Sequence, residues 1–155
     1  MNMYRSICAL VLGLLVSATC FAQQSLLGTY KMILNDVRID GQPLAPGTSQ
    51  HGYLVITPKV FVQFATRNDR KGGTSIEAKA ALLDSMNAYA GPYRVDGNKI
   101  IVDVDTAWTE VWKGTQLTRT FELKGKRLTL ITAPQPSATQ AGKTLTARAE
   151  WEKLD

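Results

Sequence analysis

From Leu27 onward, apolar and polar residues alternate in short runs separated by Gly, Pro, Asn and Asp, the pattern of antiparallel strands with one buried face. Eight strands are predicted: Leu27 to Leu34, Gly52 to Thr57, Val60 to Thr66, Tyr93 to Val95, Ile100 to Asp105, Gln116 to Leu123, Arg127 to Thr132 and Thr144 to Glu152. Tight turns at Thr57-Pro58-Lys59, Asp96-Gly97-Asn98-Lys99 and Lys124-Gly125-Lys126 join sequential neighbours as hairpins, so a meander follows. So many strands in so short a chain cannot leave two long edges bare. The expected fold is mainly β: an eight-stranded up-and-down antiparallel barrel, with a sandwich as the runner-up.

One segment breaks the period of two. Thr74 with Glu77 three residues on reads as a capping box, and Ile76, Leu82, Leu83 and Met86 recur at helical spacing. A helix is predicted from Ser75 to Tyr89, inserted between strands three and four and stopping at Ala90-Gly91-Pro92. It would lie across one barrel end or against the outer wall. Asn35 to Gln50 and Ala133 to Lys143, rich in turn residues, read as surface loops.

The first 22 residues carry a different pattern: Arg5, an apolar run from Ile7 to Val16, and a small-residue exit at Cys20-Phe21-Ala22. They read as a secretory signal, leaving residues 23–155 as one domain that is periplasmic or secreted. The run is far shorter than the ~20 residues that span a bilayer, so no stable membrane insertion is expected. Acylation of Cys20 is the weaker alternative, because Thr19 and Ser17 depart from the residues a lipobox wants. Both cysteines, Cys8 and Cys20, fall inside the leader, so the remaining domain has no disulfide to lean on.

Charge adds little. Among 18 basic residues and 13 acidic ones, Arg5 leaves with the leader, and Asp69 interrupts the one cluster at Arg67, Arg70 and Lys71. No basic stripe interleaved with aromatics suggests nucleic-acid binding. The cluster, next to Gly72-Gly73, could act as a hinge for the helix.

Gly28-Thr29-Tyr30 opens the first strand in the manner of a Gly-x-Trp signature with Tyr for Trp. It is followed by Gly52-Tyr53-Leu54-Val55-Ile56-Thr57-Pro58, by Ala88 through Gly97, by Trp112-x-Gly114, and by Arg119-x-Phe121-Glu122-Leu123-x-Gly125-x-Arg127-Leu128, ending at Ala149-Glu150-Trp151-Glu152. In this order the segments resemble the short bacterial and fungal lipocalin-like domain family of the calycin group. The resemblance implies a barrel with an interior pocket for a small, mostly apolar molecule. Many members carry a His-His pair where this chain has Ile101-Val102-Asp103-Val104-Asp105, so a role tied to those imidazoles is not carried over.

His51, the only histidine, has no Gly-x-Ser-x-Gly elbow to serve, and nearby Ser49 lies in a Gly/Pro loop. A structural zinc site cannot be built from one His and no mature Cys. Asp103, Asp105 and Glu110 could form an oxygen-ligand metal site, but they suit a solvated rim better, and a glycosidase pair would need opposed carboxylates. No cofactor is expected.

Arg119 is more informative, because it alternates with Leu117 and Phe121 on an interior face. A hairpin centred near Glu110 to Val111 would set it opposite Asp103, giving two readings: an ion pair with Asp103 or Asp105 that closes the barrel floor, or an anchor for an anionic ligand. Trp108 and Trp112, in the connection from Thr106 to Thr115, would line a pocket mouth or plug an end. Trp151 should close the core near Tyr30. The expected ligand-binding residues are Tyr93, Trp108, Trp112, Arg119 and Phe121. The expected function is binding of a small hydrophobic molecule, acidic in one version. An isomerase or cyclase using Tyr93, Arg119 and Asp103, and a structural envelope protein with a filled barrel, are the alternatives.

Overall fold

The alternation closes into a barrel. In the computed structural model, which describes residues 25–44, 50–137 and 140–155, β1 (Gly28–Ile39) runs antiparallel to β3 (Gln50–Ile56). Next in order around the wall come β4 (Val60–Arg67), β5 (Met86–Asp96), β6 (Lys99–Asp103), β8 (Gln116–Lys124), β9 (Arg127–Pro136) and β10 (Thr144–Lys153). β10 returns to pair with β1, with Met32 opposite Trp151 and Ile39 opposite Leu145. The ring of eight strands therefore has no free edge. Two short strands, β2 (Gln42–Pro43) on β1 and β7 (Thr106–Ala107) on β5, thicken one end.

The expected hairpins form, with Gly97 and Gly125 at positive φ in their turns. One half of the barrel is solid: Tyr30, Leu54, Phe61, Ile100, Leu128 and Trp151 are completely buried there. The Tyr30 hydroxyl donates to the Leu26 carbonyl at 2.9 Å, and burial pushes its pKa up to about 12.

The helix is shorter than expected. α1 spans Ile76–Asp84, its N-cap is Ser75 rather than Thr74, and the Ser75 hydroxyl accepts from the Ala78 amide at 3.1 Å. Met86 to Tyr89, expected in the helix, begin β5, because Tyr89 pairs with Gln63 and buries its ring against Phe61 at a 5.7 Å centroid distance. Gly91 does not end a helix. A Cβ there would lie 2.0 Å from the Asp103 carbonyl oxygen, so the glycine is what lets β6 approach. None of α1 is buried, and Ile76 is 82% exposed, since the helix sits outside the wall that would cover an apolar face.

The two predicted loops are partly strand. β1 continues to Ile39 and β9 to Pro136. A register shift between Met32 and Leu34 switches the inward parity of β1 from Tyr30 and Met32 to Asn35, Val37 and Ile39. The predicted leader and Ser49 lie outside the described residues, and no described helix is long and apolar enough to cross a membrane.

Candidate functional site

The other half of the barrel is hollow. A cavity of about 630 Å³ opens at the end where β1 finishes and β5 begins. That volume is within the ~300–1,000 Å³ of ordinary small-molecule sites. Leu83 and Asp84 at the end of α1 border its mouth, so the helix lies at the entrance. The Arg70 side chain donates to the Leu82 carbonyl at 3.1 Å and ties the basic loop to the last turn of α1. Arg67, also bordering the cavity, is held by both oxygens of Asp69.

Arg119 projects from β8 onto this cavity while only 8% exposed. The inward parity expected for Leu117 and Arg119 is what the structure has. The expected partner is not there. Arg119 lies opposite Ile100, and Asp103 opposite Gln116, because the turn between β6 and β8 is centred nearer Thr109 than Val111. Asp103 also has the wrong parity: Val102 and Val104 point inward, so Asp103 points out, bonding Arg94 at 3.3 Å and Gln116 at 2.7 Å. Among the described residues no ion pair involves Arg119. Its Nη1 donates to the Thr118 carbonyl at 3.0 Å. The ion pair across the floor, one of the two readings of this residue, is thereby excluded.

The Tyr89 hydroxyl is its neighbour. Burial pushes the Tyr89 pKa up, and the Arg119 charge beside it pulls partly the other way. The same hydroxyl donates to Gln63 Oε1 at 3.2 Å, and Gln63 Nε2 donates to Asn87 Oδ1 at 3.2 Å. Trp112 meets the edge of Tyr89 at 5.6 Å and Trp108 meets Trp112 at 6.3 Å, so the two indoles extend the core aromatics along the cavity wall. Trp108 thus lines the hollow, and among the described residues its Nε1 is a buried donor without an acceptor.

The other two expected site residues are elsewhere. Tyr93 packs edge-on to Phe61 and its hydroxyl donates to the Thr57 carbonyl at 2.9 Å, at the solid end. Phe121 packs against the core beside Leu123, below the hollow. Neither lines the cavity, and Tyr93, Arg119 and Asp103 are not brought together as the isomerase alternative required. Glu110 faces Lys113 at 3.7 Å, and no three described His, Cys, Asp or Glu side chains converge as a metal site would need. His51 is exposed on the outer face, between Asn68 and Thr66.

Six amide side chains on the lining are not among the residues expected from the sequence: Asn35, Gln50, Gln63, Asn87, Gln135 and Gln140. Only Gln63 carried a legible signal, since it alternates with Phe61 and Ala65. The others fell in an assumed loop or helix.

A family model described as a lipocalin-like domain matches residues 27–154. None of the curated proteins and none of the solved structures matches the chain.

Proposed function

The chain belongs to the lipocalin-like domain family, and from that premise we propose that it is an exported barrel that holds a small hydrophobic acid in its interior. One observation carries the proposal: a guanidinium almost wholly withdrawn from water, with no carboxylate among the described residues to compensate it, facing a cavity of ligand size. A buried charge left unpaired costs several kcal/mol, and an anionic ligand would offset that cost. Trp108, Trp112 and Leu130 supply apolar contact around it. The charged end then lies innermost, against Arg119, and the rest of the ligand extends toward the mouth. Export rests on Arg5, the apolar run Ile7 to Val16 and the Cys20-Phe21-Ala22 exit, and implies a periplasmic or secreted protein.

The test is to purify the full chain from the compartment in which it accumulates and determine its N-terminus. The protein is then extracted with organic solvent, and the extract compared by mass spectrometry with that of an Arg119→Met, Trp112→Ala variant. A stoichiometric acid present in the wild type and lost from the variant is the expected result. An empty wild-type extract, joined by failure of a panel of fluorescent fatty acids to bind, would overturn the proposal in favour of a barrel without a ligand. An unprocessed N-terminus would overturn export alone.

A further inference from the structure

The hollow has two unlike sides, and the difference bears on what kind of acid fits. Asn35 on β1, Gln50 on β3, Gln63 on β4 and Asn87 on β5 form a continuous polar arc over four adjacent strands. They are paired: Asn35 Nδ2 donates to Gln50 Oε1 at 2.6 Å, and Gln63 Nε2 donates to Asn87 Oδ1 at 3.2 Å. Each amide pair consumes one N–H and one oxygen, and the Tyr89 hydroxyl takes up the Gln63 oxygen as well. Among the described residues most of the amide N–H groups on this arc therefore have no further acceptor, and Arg119 adds further donors at its inner end.

Across the barrel the lining changes character. In the ring of strands β9 stands opposite β4 and β10 opposite β5, and there the hollow is bounded mainly by Leu130, Leu145, Ala147 and Ala149, with Thr132 and Gln135 of β9 and Gln140 between β9 and β10 as its polar members. Two alanines at successive inward positions leave the wall low and flat. An alkyl chain laid in this space would satisfy the alanine side and strip water from the amides without replacing its hydrogen bonds, a cost of about 1–3 kcal/mol for each group left bare. A planar ring system with oxygen acceptors along one edge meets both walls.

We propose that the ligand is a ring-bearing, acceptor-rich acid: an aromatic carboxylate with hydroxyl or carbonyl oxygens on one edge, its carboxylate at Arg119, that edge against Gln63 and Asn87, and one face against Ala147 and Ala149. This rests on the interior-acid reading above and sharpens it.

The experiment titrates the full-length protein with four probes by calorimetry: hydroxynaphthoate, naphthoate, decanoate and naphthol. The wild type should bind hydroxynaphthoate about tenfold more tightly than naphthoate, one hydrogen bond's worth, with decanoate weaker than both and naphthol weakest. Gln63→Leu should erase the preference for the hydroxyl without weakening decanoate. Asn87→Leu, on the neighbouring strand, should do the same, so the conclusion does not hang on one variant folding; melting curves of both accompany the titrations. Decanoate binding as tightly as hydroxynaphthoate in the wild type, or a hydroxyl preference that survives both substitutions, overturns the ring-bearing class and leaves the interior acid standing. No binding of any of the three acids overturns both.

Discussion

Substituting Arg119 by Met separates a ligand anchor from a structural brace by the sign of the stability change. The guanidinium is 8% exposed and donates to one protein carbonyl, that of Thr118, with the Tyr89 hydroxyl alongside. Withdrawing an ion from water costs several kcal/mol, and replacing a buried charge with an apolar side chain of similar length is commonly neutral or stabilising by ~1–4 kcal/mol. Had Asp103 been its partner, Arg119→Met would strand a buried carboxylate at a cost of about 3–5 kcal/mol. The ligand-free variant should therefore melt at or above the wild-type temperature, by up to about 4 °C per kcal/mol for a domain of this size. Its affinity for aromatic carboxylates should fall by about 2–5 kcal/mol, or roughly thirtyfold to a few thousandfold. Calorimetric melting of extracted protein, followed by titration with naphthoate, reads both quantities. A variant that melts well below wild type while binding naphthoate equally tightly would refute the reasoning.

Gly91→Ala should destabilise by about 1–3 kcal/mol or more, because its Cβ would collide with the Asp103 carbonyl and force β5 away from β6; denaturant unfolding within about 0.5 kcal/mol of wild type would contradict this. Tyr30 has a folded pKa of about 12 against an ordinary 10.0, so the folded state holds its proton more firmly than the unfolded one. The stability it contributes is intact below pH 10 and is lost as pH rises toward 12, about 3 kcal/mol in all. Alkaline unfolding curves that Tyr30→Phe leaves unchanged in slope would count against it. α1, which buries nothing, should exchange its amide hydrogens faster than the barrel strands and slow down when an aromatic acid occupies the hollow beneath Leu83; protection equal to that of β9 and indifferent to ligand would dismiss any lid role. Ser75→Ala should fray the first turn of α1 by about 1 kcal/mol while leaving the global melting temperature nearly unchanged, since little else depends on that helix.

Strand identity and parity were legible where strands are regular. Leu117 and Arg119 inward, Trp151 packed near Tyr30, and hairpins at Gly97 and Gly125 all follow from period two and turn chemistry. The shift near Ile33 inverted the parity of β1, so Asn35 faces the hollow from a stretch that composition reads as loop. Met86 satisfies helical spacing, yet the following residues gain more by pairing with β4 than by continuing a helix whose outer face meets only water. A three-residue difference in register separated Arg119 from Asp103, and nothing local to either residue encodes it.

Alternating polarity and glycine turns along the chain were enough to determine an antiparallel meander with Arg119 on its inner face, with a closed barrel favoured over a sandwich, because both are local properties of the backbone and of side-chain chemistry. Whether that arginine meets a carboxylate or a hollow was decided only by the tertiary structure. Register between β6 and β8, the bulge in β1, and the facing of small residues on β10 with amides on β5 are outcomes of ring closure, in which every strand must satisfy two neighbours at once.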